Sequence, residues 1–302
     1  MSEAHPTSKP LPPLIGVDFS SAPTRRKPIT VAHGRREGAV LRHERIEELP
    51  GLGEFEAMLQ RPGPWLGGFD LPFGLPRELV AALGWPLQWA PLMRHYASLS
   101  RAEIRQRFAA FCDARPAGGK FAHRATDGPA GSSPSMKWVN PPVAYMLHAG
   151  VPRLVQAGVT LAGLHAGDPQ RVAVEAYPGL LARELIGARS YKSDDRAKQT
   201  DDRLIARKDI VDALEQGRPA RLGLRLKLTH AQRDTLVADG SGDRLDAVLC
   251  LVQAAWAATQ PRHGLPPQVD AIEGWIATAP WDAPAPASPG GRPTQAREKQ
   301  IN

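Results

Sequence analysis

The run LIGVDFSSAP begins with unbroken apolar residues and closes on an acid and a turn, which predicts a buried first strand ending at Asp18. Shorter apolar stretches at 29–33 and 39–45 predict two more strands in a meander. Over 52–60 the spacing changes, with Leu52, Phe55 and Leu59 on one helical face. WLGGFDLPFGLP then reads as a fourth strand, ended at Asp70 and stopped by Pro72 and Gly74. From 76 to 171 the pattern is one of helices and loops: 101–112 is amphipathic, while 118–137 is basic, Gly/Ser-rich and loop-like. Asn140-Pro141-Pro142 predicts a helix start, with Asn140 as N-cap and Pro141 in the first helical position. RVAVEAYP predicts a fifth strand at 171–177, and DRLDAVLCLVQAAWAAT a final strong helix at 243–259, with Ser241 as its N-cap. The expected fold is thus α/β: a mixed five-stranded sheet flanked by helices, with a large helical insertion between the fourth and fifth strands.

Composition narrows the class. The chain of 302 residues is 42% hydrophobic and 23% charged, as in ordinary globular proteins rather than collagenous or disordered ones. Residues 1–13 and 283–302 are Pro-rich with little to pack and are expected to be disordered tails around one body at 14–280. Only Cys112 and Cys250 are present, without a CxxC pair, so a zinc ribbon or disulfide framework is excluded. No uncharged apolar run reaches the ~18 residues of a bilayer span. The first thirteen residues lack the apolar core of a secretory signal, so a cytoplasmic protein without a membrane partner is expected. The formal charge of +7 suits a phosphate-rich partner, although the charge is spread along the chain.

The candidate chemistry is carboxylate chemistry. Asp18, Asp70 and Glu175 sit at the ends of three predicted strands, where ligands of α/β sheets gather. Asp243 and Asp246, three apart, share one face at the start of the last helix. Such a cluster repels itself unless a counter-charge is present. A hard divalent cation, Mg²⁺ or Mn²⁺, resolves this, and two such ions can flank a phosphodiester. Asp18, Asp70, Glu175 and Asp246 are the candidate metal ligands, with Asp243 beside Asp246 as the other candidate for the helix. Structural alternatives exist for each: turn formation for Asp18 and Asp70, a solvent-facing edge position for Glu175, and the helix dipole for Asp243 and Asp246. Lys192, Tyr177, Arg124, Lys137, Asn140 and Ser20 are candidates for substrate contact, several of them flanking the Gly/Ser-rich loop. Trp85, Trp89 and Trp138 could stack on bases or fill a core.

GVDFSSAP, GFDLPFGLP, VEAYPG followed by YKS, and GDRLDAVLCLVQAAWA, in that order, resemble the family catalogued as domain of unknown function 429 over roughly residues 14–260. The resemblance implies a ribonuclease H-like fold and a metal-dependent nuclease activity. It implies Asp18 as the central carboxylate, Asp70 on the fourth strand, and Asp246 or Asp243 on the final helix. The expected function is phosphodiester hydrolysis on nucleic acid. The alternatives are a non-catalytic nucleic-acid-binding protein of the same fold and a nucleotide-binding phosphotransferase.

Overall fold

The computed structural model describes residues 11–281. Seven strands form one sheet: β1 (Leu14–Asp18), β2 (Ile29–Glu37), β3 (Val40–Leu49), β4 (Trp65–Asp70), β5 (Val159–Leu161), β6 (Asp168–Glu175) and β7 (Arg225–Lys227). Their order is β5-β6-β4-β1-β2-β3-β7. β2 runs antiparallel to β1 and β3, whereas β4 is parallel to β1, β6 to β4, β5 to β6 and β7 to β3. The expected five-stranded sheet is therefore corrected to seven strands. The two additions, β5 and β7, are three-residue edge strands, too short to carry an alternating pattern of their own.

The helices are α1 (Leu52–Leu59), α2 (Arg77–Ala82), α3 (Trp89–Ser98), α4 (Arg101–Asp113), α5 (Asp127–Ala130), α6 (Val143–Gln156), α7 (Pro178–Ile186), α8 (Asp201–Glu215), α9 (His230–Ala238) and α10 (Asp243–Ala257). Those from α2 to α6 form the expected insertion, which also carries β5. α4 opens with a capping box in which Ser100 and Glu103 satisfy each other's backbone N–H groups. α6 starts at Val143 rather than at Asn140. Asn140 instead holds a left-handed φ of 44° ahead of a cis bond to Pro141, so it caps no helix. Ser241 is likewise not the cap of α10: that position is Gly242, and the Asp239 carboxylate accepts from the Arg244 N–H at 3.0 Å. The strand expected at 171–177 begins earlier and ends at Glu175, leaving Tyr177 as the N-cap of α7.

Alternation along the strands divides the core between the two faces of the sheet. Ile15, Val17, Trp65 and Phe69 pack with Phe55 and with Leu92, Tyr96, Phe108 and Leu147 of the insertion. Leu14, Ala32, Leu66 and Val174 pack on the other face with Leu181, Ile210 and Leu249. No helix among the described residues is long and apolar enough to cross a membrane. The expected tails lie outside the described residues, apart from 11–13.

Candidate functional site

Two glycines bring the acidic residues together. Gly16 pairs with Gly68 and Asp18 with Asp70 in the parallel register of β1 and β4. Residues two apart on a strand share a face, so both aspartates lie on the side where α10 packs. A Cβ on Gly16 would stand 2.1 Å from the Ala247 carbonyl oxygen and the Leu251 nitrogen, and one on Gly68 would stand 2.5 Å from the Cys250 carbonyl oxygen. Without side chains at 16 and 68, α10 lies directly against the sheet. Its first turn, with Asp243 and Asp246, then meets the carboxyl ends of β1 and β4.

Asp246 is fully buried. The Tyr191 hydroxyl donates to it at 2.5 Å, and the Lys192 ammonium forms an ion pair with its other oxygen. Asp18, Asp70, Asp243 and Lys192 are half-buried. Burial, then the neighbouring Asp246 charge, push the Asp18 carboxyl well above the usual range, with Lys192 opposing. The same causes raise Asp70 to about 7. Burial also raises Asp243, with Lys27 and Lys192 pulling it back. Burial works hardest against the Lys192 charge, but Asp246, Tyr191 and Asp18 together overcome it, so Lys192 holds its proton more firmly than a free lysine.

This is a crowded set of oxygen donors, with Lys192 as the counter-charge of Asp246 and Lys27 acting on Asp243. Among the described residues, no group of three or more His, Cys, Asp or Glu side chains is arranged to close around an ion. Mg²⁺ does not require such a cage, since it is commonly held by one or two carboxylates together with waters and substrate phosphates. The Asp18–Asp70 pair fits that description.

Glu175 stands apart from the other acids. It pairs with Phe69, not Asp70, in the β4–β6 register. Its side chain is therefore on the opposite face of the sheet, toward the insertion. There it receives Arg124 through two bonds, at 2.7 and 2.9 Å, and the Phe73 N–H at 2.9 Å. Arg124 also donates to Asp127 at 3.0 and 3.2 Å and to the Glu273 carbonyl at 3.1 Å. Burial pushes the Glu175 carboxyl up and the Arg124 charge pulls it back. Both its oxygens are engaged, so Glu175 and Arg124 form a buried ion pair that joins β6 to the insertion.

A cleft of about 350 Å³ opens where the two faces meet at the carboxyl ends of the strands. Asp70, Arg124, Glu175, Tyr177, Tyr191 and Lys192 are among the residues that line it. The structure thus gathers Asp18, Asp70, Asp243, Asp246 and Lys192 at one place, with Tyr177 and Arg124 along the same cleft. Lys137, Asn140 and Ser20 are not among the residues lining it. Ser20 accepts the Ala22 N–H in a local turn at 3.4 Å. Trp85 and Trp89 are buried in the core, and the half-buried Trp138 packs on Phe121 with ring centres 5.9 Å apart. The sequence reading missed Tyr191, whose signal was its place beside Lys192, and Asp127, whose signal was its spacing of three from Arg124. It also missed Glu273, which accepts the N–H groups of Arg77 and Ala125 from a distant loop that carries no pattern. Comparison of the chain with protein-family models, curated proteins and solved structures finds no match.

Proposed function

We propose that the chain is a divalent-metal-dependent phosphodiesterase acting on nucleic acid, with a ribonuclease H-like core. The observation that carries this reading is the register-matched Asp18–Asp70 pair beneath the first turn of α10. The order β3-β2-β1-β4-β6, in which β2 alone is antiparallel, also supports it.

Asp18 and Asp70 would hold Mg²⁺ or Mn²⁺, which when bound supplies Lewis-acid stabilisation of phosphoryl charge and a more acidic water. Lys192 pairs with Asp246 and brings a positive charge to the cleft. Tyr191 fixes the Asp246 carboxylate through its hydroxyl. Asp243, half-buried in the same helical turn, adds a further negative charge beside Asp18. The Arg124–Glu175 pair, each engaged with the other through two bonds, stands outside the proposed metal set.

The test is a cleavage assay over single-stranded, duplex, hybrid and branched substrates with Mg²⁺, Mn²⁺ or chelator. Metal-dependent cutting by the native protein and its loss, by 100-fold or more, in Asp18→Asn are expected. The Asp18→Asn protein should melt no lower than the native one, because the substitution removes a repelling charge. Cutting that survives in chelator or in the variant would sink the proposal.

A further inference from the structure

The cleft beside the carboxylates differs from a channel that tracks a nucleic-acid backbone. Such channels combine unpaired Lys and Arg side chains with stacking surfaces. Here, among the described residues, the cleft is lined by two cations, and both are occupied: Arg124 by Glu175 and Asp127, and Lys192 by Asp246. Asp70 and Glu175 balance them, so the lining carries no excess positive charge.

The remaining wall is mostly apolar. Val143 and Met146, one helical turn apart at the start of α6, present half-buried faces to the cleft beside Pro141. Tyr177, Pro178 and Ile276 line the same cleft. The Tyr177 ring is held in place: a Cβ on Gly179 would lie 2.7 Å from its hydroxyl oxygen, and the Arg183 guanidinium sits 5.7 Å from its centre. The volume of about 350 Å³ is at the lower end for small-molecule sites, which run from ~300 to 1,000 Å³. A partly open, mostly apolar cleft whose lining charges balance, beside carboxylates that would share a divalent cation with a phosphate, suits one flat organic group attached to one phosphate.

We infer that this cleft grips a single nucleotide unit, with the base against Val143, Met146 and Tyr177 and the phosphate toward Asp70 and Lys192. The inference rests on the reading of Asp18 and Asp70 as a phosphoester centre and names the substrate of that same site. The unit is either a free nucleotide or the end of a single strand, and the chemistry of recognition is the same for both. Duplex nucleic acid is excluded from the cleft.

Titration calorimetry with Mg²⁺ tests this with adenosine 5′-monophosphate, cytidine 5′-monophosphate and ribose 5-phosphate. The nucleotides should bind at least tenfold more tightly than the sugar phosphate, and adenosine alone should bind in chelator. Log K against log salt should have a slope near one, rather than the several expected of a protein contacting many phosphates. Val143→Trp, which fills the wall, should weaken nucleotide binding tenfold or more with an unchanged melting temperature; Met146→Trp serves if that variant does not fold. Competition then separates the sources: a linear single strand that competes where a circular one does not identifies a strand end, and competition by neither identifies a free nucleotide, whose phosphomonoester would replace the nucleic-acid diester as the substrate. Equal binding of nucleotide and ribose 5-phosphate would overturn the inference, as would a duplex that competes as well as the nucleotide. Nucleotide binding without any cleavage would refute the catalytic reading and leave the base wall standing.

Discussion

Asp246 is buried with its oxygens divided between the Tyr191 hydroxyl and the Lys192 ammonium, and a carboxylate so placed depends on both partners. Removing one member of such a pair leaves the other charge uncompensated, whereas removing both together costs less. Lys192→Met should therefore destabilise the protein, and Asp246→Asn added to it should recover most of the loss. Chemical denaturation of the two single variants and the double should give a coupling of about 1–2 kcal/mol, and additive losses would disprove the pairing. A second residue-level prediction concerns pH. Glu47 accepts two bonds from Arg61, at 2.8 and 2.5 Å, and one from His33 at 2.9 Å. The Arg61 bonds, with the smaller help of His33 against the cost of burial, hold its carboxyl down at about 2. A depressed carboxyl contributes stability above its unfolded value near 4.5, and that contribution is lost as pH falls toward 2. Because Arg61 is largely exposed, the contribution is about 1 kcal/mol. Glu47→Gln should be less stable by that amount at pH 6, with the gap closing between pH 4.5 and 2; a pH-independent gap would show that packing, not charge, is responsible.

At the scale of elements, the site depends on how closely α10 lies on β1 and β4. Gly16→Ala forces a methyl into the Ala247 carbonyl and the Leu251 backbone, neither of which can move without shifting the helix. A destabilisation of about 1–3 kcal/mol is expected, and activity should fall because Asp246 moves away from Asp18. Gly53→Ala is the control: it lies in α1 with open space around it, and there alanine should be neutral or stabilising by up to ~1 kcal/mol. Equal effects of the two in thermal melts would remove close packing as the reason for Gly16. β1, β4 and α10 were legible in the sequence because each is an apolar run that meets an acid at a fixed end, and their aspartates do converge. Glu175 looked the same from sequence, yet one position of register sends its side chain to the other face, and register is set by pairing that a single strand does not reveal. The start of α6 was misread for a related reason: Asn-Pro is a sound local start signal, but the chain turns at Asn140 with a left-handed φ and begins the helix three residues on.

At the scale of the molecule, the insertion is part of the core rather than an appendage. Tyr96 and Phe108 stack 6.1 Å apart, and both belong to the same packed cluster as Phe19, Phe55 and Phe69 on the sheet. The Arg124 pair adds a buried ionic link from the insertion to β6 and to the loop holding Glu273. Removing 76–158 would strip the cover from Ile15, Val17, Trp65 and Phe69 on one face of the sheet, so the sheet is not expected to be stable without the insertion. The native protein should accordingly unfold in one transition, with denaturant curves from tryptophan fluorescence and from far-ultraviolet circular dichroism superimposing. The fluorescence reports both parts, since Trp85 and Trp89 lie in the insertion and Trp65 in the sheet. Phe108→Ala, far from the carboxylates, should lower stability by about 3–5 kcal/mol and move both curves together. If it split the curves into two transitions, the insertion would be a separately folding unit.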